Sequence, residues 1–229
     1  MKTETQTNVF DRAVSFLSGL SMIVAPVATM IAFYIHPQFW TFKRESSAAI
    51  QYEYIQDAGW QIGHSLVYVT IPFVILMWLQ IAVLLSKRRP ALAVAGGLLS
   101  LVGWSFMAGQ FGTTMAQGMI GLAFPKEQAL DGIQLLLDRP GLMQLTMWGQ
   151  VGALLGPMIL SIAMALTPEV APRWQGVLAI LGNLIIVAAL DIDGYMIIGE
   201  FMIMLGLWPT AVKLIKGKWS EALVSVPAH

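Results

Sequence analysis

The sequence predicts an all-α protein: a polytopic membrane bundle of about six transmembrane helices with both termini cytoplasmic. Three observations carry that prediction. Of 229 residues, 57% are hydrophobic and the mean hydropathy is +0.70, more apolar than a water-exposed domain requires. Apolar runs of about 20 residues, the length that crosses a bilayer core as a helix, recur along the chain. The basic residues collect at one end of those runs more than at the other.

Taken in order, the polar stretch Met1 to Arg12 leads into an apolar run, Ala13–Ile35, with no small-residue cleavage site, so it reads as an uncleaved first span. The second span, Gly63–Leu85, joins the third, Ala91–Phe111, through the tight turn Lys87-Arg88-Arg89-Pro90. The fourth, fifth and sixth are Leu142–Leu166, Trp174–Leu190 and Tyr195–Ile215, the last pair joined by Asp191-Ile192-Asp193-Gly194. Residues 1–229 form a single transmembrane domain in this reading, with 216–229 a short cytoplasmic tail.

Lys2, Arg12, Lys87, Arg88, Arg89, Arg173, Lys213, Lys216 and Lys218 fall on one side of these spans; Lys43, Arg44, Lys126 and Arg139 fall on the other. By the positive-inside rule the first side is cytoplasmic, which puts the 191–194 turn outside a bacterial-type cytoplasmic membrane. Both long connections lie on that outer side. Residues 38–60 carry Phe39, Trp40, Phe42, Tyr52, Tyr54 and Trp60, an aromatic density suited to the headgroup layer. In 125–137, Ala129, Leu130, Ile133, Leu136 and Leu137 make one apolar stripe, which predicts an amphipathic surface helix ended by Arg139-Pro140-Gly141. Gly109 to Gly121 reads as a flexible exit from the third span.

Small residues forecast the tight contacts. Gly149, Gly152 and Gly156 on the fourth span, and Ala93, Gly96, Gly97 and Gly103 on the third, predict that these helices approach closely. Pro26, Pro72 and Pro157 sit mid-span, where each frees a carbonyl and can kink its helix. The similar depths of Pro26 and Pro157 hint at an inverted repeat of three plus three helices.

Several chemistries are excluded or unsupported. The 13 basic and 13 acidic residues cancel, so no global field points to nucleic acid. The absence of cysteine removes disulfides, thiolate metal sites and cysteine nucleophiles. No His-Glu-x-x-His helix, Gly-x-Ser-x-Gly elbow, phosphate-cradling glycine loop or mid-span lysine occurs. The histidines, His36, His64 and His229, lie at edges or at the end of the chain, which does not suit a haem held within the bundle. Asp191, Asp193 and Glu200 could hold a hard cation, but no loop of ligand spacing accompanies them, so no metal ligands and no cofactor are assigned. Asp-x-Asp-Gly is also ordinary turn chemistry, and the two aspartates read mainly as a solvent-facing turn.

Glu200 is the anomaly. An ionised residue at the centre of a spanning helix costs roughly 2.5–3.5 kcal/mol on insertion scales and normally faces a protein interior or a wet cavity. Polar residues of the outer half are the natural companions: His64 on the second span, Gln110 on the third, Gln144 and Gln150 on the fourth, and Asp193, two helical turns from Glu200. Tyr68, four residues from His64, shares its face. Glu200, His64, Gln150, Asp193, Tyr68 and Gln110 are therefore the candidate ligand-binding residues; no catalytic residue is assigned. The 14 methionines read as lipid-facing or gap-filling side chains.

The stretch Trp60-Gln61-Ile62-Gly63-His64 through Leu84-Leu85-Ser86 to Arg89-Pro90-Ala91-Leu92-Ala93 resembles the layout of a broad group of uncharacterised bacterial six-helix membrane proteins. Thr167-Pro168-Glu169 and Pro172-Arg173-Trp174 are similar to their fourth-to-fifth helix connection. The resemblance covers about half the chain and implies a six-helix bundle, with no activity. The functional expectation is a protein that binds or passes a small or lipid-like ligand through an outward-facing pocket around Glu200, with proton coupling as its transport form. Two alternatives stand beside it: a membrane enzyme acting on a lipid headgroup with Asp, Glu and His, and a structural subunit of a homo-oligomer or larger membrane complex. Conversely, Glu200 in a closed hydrogen bond with a glutamine would be helix glue alone.

Overall fold

Helices account for nearly all of the described chain, and strands are absent from it. The computed structural model describes residues 9–37, 40, 47–189 and 192–217, and only the backbone of residues 140 and 142–146. Phe39, Phe42, Leu190, Asp191, His229, the basic residues Lys2, Lys43, Arg44 and Lys218, and the side chain of Gln144 lie outside that description. The helices are α1 Val9–Ile35, α2 Ala48–Ile55, α3 Ala58–Leu85, α4 Pro90–Ala123, α5 Lys126–Leu137, α6 Pro140–Ala165, α7 Arg173–Ala188 and α8 Asp193–Ile215. Five of them, α1, α3, α4, α6 over Met147–Ala165, and α8, are long and apolar enough to cross a membrane; α7 is apolar but shorter.

These five helices and α7 form a ring. Each packs on the next in sequence, α1 on α3, α3 on α4, α4 on α6, α6 on α7 and α7 on α8, and α8 returns onto α1. Glycine faces set the closest approaches. A Cβ on Gly103 would strike the backbone of Ala153, and one on Gly156 would strike that of Ser100, so α4 and α6 meet nearly backbone to backbone. Gly182 of α7 and Gly199 of α8 face each other in the same way. Outside the ring, Phe16, Val69, Phe73, Val102, Trp148, Leu155, Leu181, Phe201 and Leu205 are exposed. Such an apolar sheath suits lipid as its solvent, since the helices satisfy their own backbone groups.

One half of the ring is solid. Met22, Trp78, Ile81, Leu85, Leu160, Met164, Leu207 and Leu214 fill it. Three polar pairs are buried between helices: Ser18 Oγ donates to Gln80 Oε1 at 3.1 Å, Thr210 Oγ1 to Gln175 Oε1 at 3.0 Å and, at the border of the cavity described below, Asn183 Nδ2 to Ser161 Oγ at 3.2 Å. Each bond ties two helices together. At this end the Lys87-Arg88-Arg89 turn leads into Pro90 at the first helical position of α4, and Arg89 Nη2 donates to the carbonyl of Leu166 at 3.0 Å, a cation at the C-terminus of α6.

The other end departs from the sequence reading in three places. The stretch assigned to the headgroup layer contains α2, started by Ser47, whose Oγ accepts from the Ile50 N–H at 3.3 Å. Next, α3 starts at Ala58 rather than at Gly63, with Asp57 accepting from the Gly59 N–H at 2.7 Å. Trp60 thus sits on the inward face of α3, 1% exposed, in a cluster with Ile55 and Ile133. Aromatic density alone does not distinguish an interfacial ring from a buried one. Finally, α4 continues to Ala123 instead of stopping at Phe111. The glycines read as flexible hold it close to its neighbours: Gly118 lies under the Trp60 ring, and a Cβ on Gly121 would press into Ile55. The amphipathic α5 buries Ala129 and Ile133 and packs against α2 and α4.

Candidate functional site: a cavity inside the helix ring

Opposite the solid half, the ring encloses a cavity of about 770 Å³, lined by all eight helices. That volume falls in the range of small-molecule sites. Both Gly63 and Trp78 of α3 line it, so at 1.5 Å per residue it runs roughly 22 Å along the bundle. Gln51 of α2 and Leu136 and Leu137 of α5 line the end near the short helices; Met77, Trp78 and Ile203 line the end that meets the solid core. The helix repeat explains which side chains reach it. Along α8, Asp193, Met196, Glu200 and Ile203 recur at intervals of three or four residues and occupy one face.

Five of the six candidate residues line this cavity: Glu200, His64, Gln150, Asp193 and Gln110. Tyr68 does not. It is 44% exposed and lies beside Gly112 of α4. Four residues advance an α-helix by about 40° past a full turn, enough at the edge of a ring to carry Tyr68 off the lining face that His64 occupies.

Asp193 is not the solvent-facing turn residue expected from its sequence context. It heads α8, is 5% exposed, and its Oδ2 lies 3.0 Å from His36 Nδ1. A carboxylate only accepts, so His36 carries its proton on Nδ1. The His36 ring in turn stands 4.9 Å from that of His64, which stacks at 4.2 Å on Trp60. His64 Nδ1 is 2.8 Å from the Trp60 carbonyl, which fixes its proton on Nδ1 as well. The two histidines and Asp193 therefore build one ordered polar wall. His36 is the main residue that the sequence reading left out of the site. Its signal was available: it sits one residue beyond the first predicted span, on the same membrane side as Asp193.

Glu200 is half-buried, and among the described residues it takes no hydrogen bond and no ion pair. The closed pair with a glutamine does not occur there. Gln110 and Trp104 line the same cavity, and Gln110 Oε1 and Trp104 Nε1 are buried without a protein partner. Most buried polar atoms in folded proteins are satisfied, so these two are exceptions to the usual pattern. Gln51 and Gln117, 5% and 4% exposed, also line the cavity. They lie in segments read as a surface loop and a flexible exit, so nothing in their sequence context placed them at depth. Among the described residues no three His, Asp or Glu side chains converge as a metal site. Comparison with protein-family models, with curated proteins and with solved structures found no match.

Proposed function

We propose that this chain is a six-span integral membrane protein, with both termini cytoplasmic and α7 as its short fifth span, that binds or passes a small or lipid-like ligand through the cavity around Glu200. One observation carries the reading: a ligand-sized cavity in the bundle with an intramembrane carboxylate on its wall that no described residue engages. The side chains on the wall support it: Glu200 is engaged by no described residue, and the lining residues Gln110 and Trp104 each hold a polar atom without a protein partner. Outward opening follows from the positive-inside assignment, because α2 and α5 lie at the end away from Lys87, Arg88 and Arg89.

The test is thermal unfolding of the purified protein in mild detergent with a panel of cationic, anionic and neutral amphiphiles. At least one class should raise Tm, and the rise should shrink in Thr113→Trp, which fills the cavity, and in Glu200→Gln. No stabilisation by any class would sink the reading. A second reading, an enzyme acting on a lipid headgroup, draws on the His36–Asp193 pair, because a carboxylate that orients an imidazole is the usual support of a general base. Headgroup release from phospholipid vesicles that is lost in His36→Gln would favour it.

A further inference from the structure

We infer that the ligand of this cavity is a lipophilic cation, with Glu200 as its counter-ion; the inference rests on the binding function proposed above. Among the described residues the titratable side chains on the wall are His36, His64, Asp193 and Glu200, with no lysine and no arginine. With both carboxyls ionised and both histidines neutral the wall carries two negative charges. With His36 protonated against Asp193 it still carries one, on Glu200. An anionic headgroup would meet like charge in an apolar, poorly screened space, where such a contact is costly. A cation would meet the one carboxylate that lacks a partner among the described residues.

The rest of the wall suits the same chemistry. Trp78 and Trp104 line the cavity, and indole is the best of the aromatic faces for a desolvated cation. Trp104 and Gln110, both lining residues, each hold a polar atom without a protein partner, and a rotamer change of Gln110 would let its carbonyl oxygen accept from a ligand N–H. The remaining lining is largely aliphatic and thioether, which accommodates apolar substituents of varied shape. Among the described residues the wall carries no Lys or Arg, the residues that recognise phosphate and carboxylate. A fatty acid or anionic lipid is therefore the wrong class, whereas a protonated hydrophobic amine or a quaternary onium ion is the right one.

The experiment uses two rigid ions of matched size and shape and opposite charge, tetraphenylphosphonium and tetraphenylborate, and measures binding of each to the full chain in detergent by equilibrium dialysis. Wild type should bind tetraphenylphosphonium at least tenfold more tightly than tetraphenylborate; this arm needs no variant. Glu200→Gln should lower phosphonium affinity at least tenfold, and Glu200→Asp, which keeps the charge, should retain part of it. Equal affinity for the two ions, preference for the borate, or an unchanged Glu200→Gln would each overturn the cationic assignment. The failures are distinguishable. Stabilisation by anionic or neutral amphiphiles without phosphonium binding defeats only the ligand class, whereas silence across the whole panel defeats the binding function itself.

Discussion

His36 and Asp193 are 157 residues apart in sequence and 3.0 Å apart in space, and both side chains are about nine-tenths buried. Truncating either one strands the other's polar atoms, which costs about 1–3 kcal/mol. His36→Ala and Asp193→Ala should therefore each lower Tm. The double variant should cost less than the two singles added, with a coupling of about 0.5–3 kcal/mol. Additive losses would show that the contact contributes nothing of its own. Tyr68→Ala, by contrast, should leave ligand-dependent stabilisation unchanged, because Tyr68 lies off the cavity wall. Ligand binding assays on these variants separate the lining residues from their sequence neighbours. At this scale the sequence made Glu200 conspicuous through the cost of its charge, but could not couple His36 to Asp193. That pairing depends on α8 closing the ring against α1.

At the scale of elements, the α4–α6 seam makes the sharpest demand. Gly103→Leu or Gly156→Leu would force apart helices whose backbones are in contact, and should abolish monodisperse, folded protein on size-exclusion chromatography. A Cβ at Gly109 of the same helix meets nothing within 4 Å, so Gly109→Ala should be neutral or stabilising by up to about 1 kcal/mol. If all three variants behave alike, close approach is not what the glycines provide. The glycine stripes predicted this seam because spacing alone puts small residues on one face. The far end of α4 was misread because glycine carries two meanings. Gly118 and Gly121 could signal flexibility or close packing, and only the tertiary neighbours Trp60 and Ile55 decide between them. The same limit applies to Trp60, whose ring suits a headgroup layer or a buried cluster equally well.

For the whole molecule, the outward-facing apolar surface and the inward cavity make opposite solvent demands of the same helices. The long apolar helices were legible because a bilayer crossing demands a long apolar run, and five of them reach that length; α2, the early start of α3 and the full length of α4 were not, since they lie where that constraint ends. The natural lack of cysteine makes orientation directly measurable. A membrane-impermeant maleimide should label Lys126→Cys in intact cells, and Lys87→Cys only after permeabilisation; the reverse pattern would invert the proposed topology.

The cavity itself is best tested by reagent access along α8. Met196 lines it, while Ile198, two residues on, is 43% exposed on the outer surface of the bundle. A cationic, water-soluble methanethiosulfonate should modify Met196→Cys at least tenfold faster than Ile198→Cys in the protein reconstituted in lipid, and Glu200→Gln should slow the first reaction. Equal rates at the two positions, or a Met196→Cys that does not react, would contradict a polar cavity organised around Glu200.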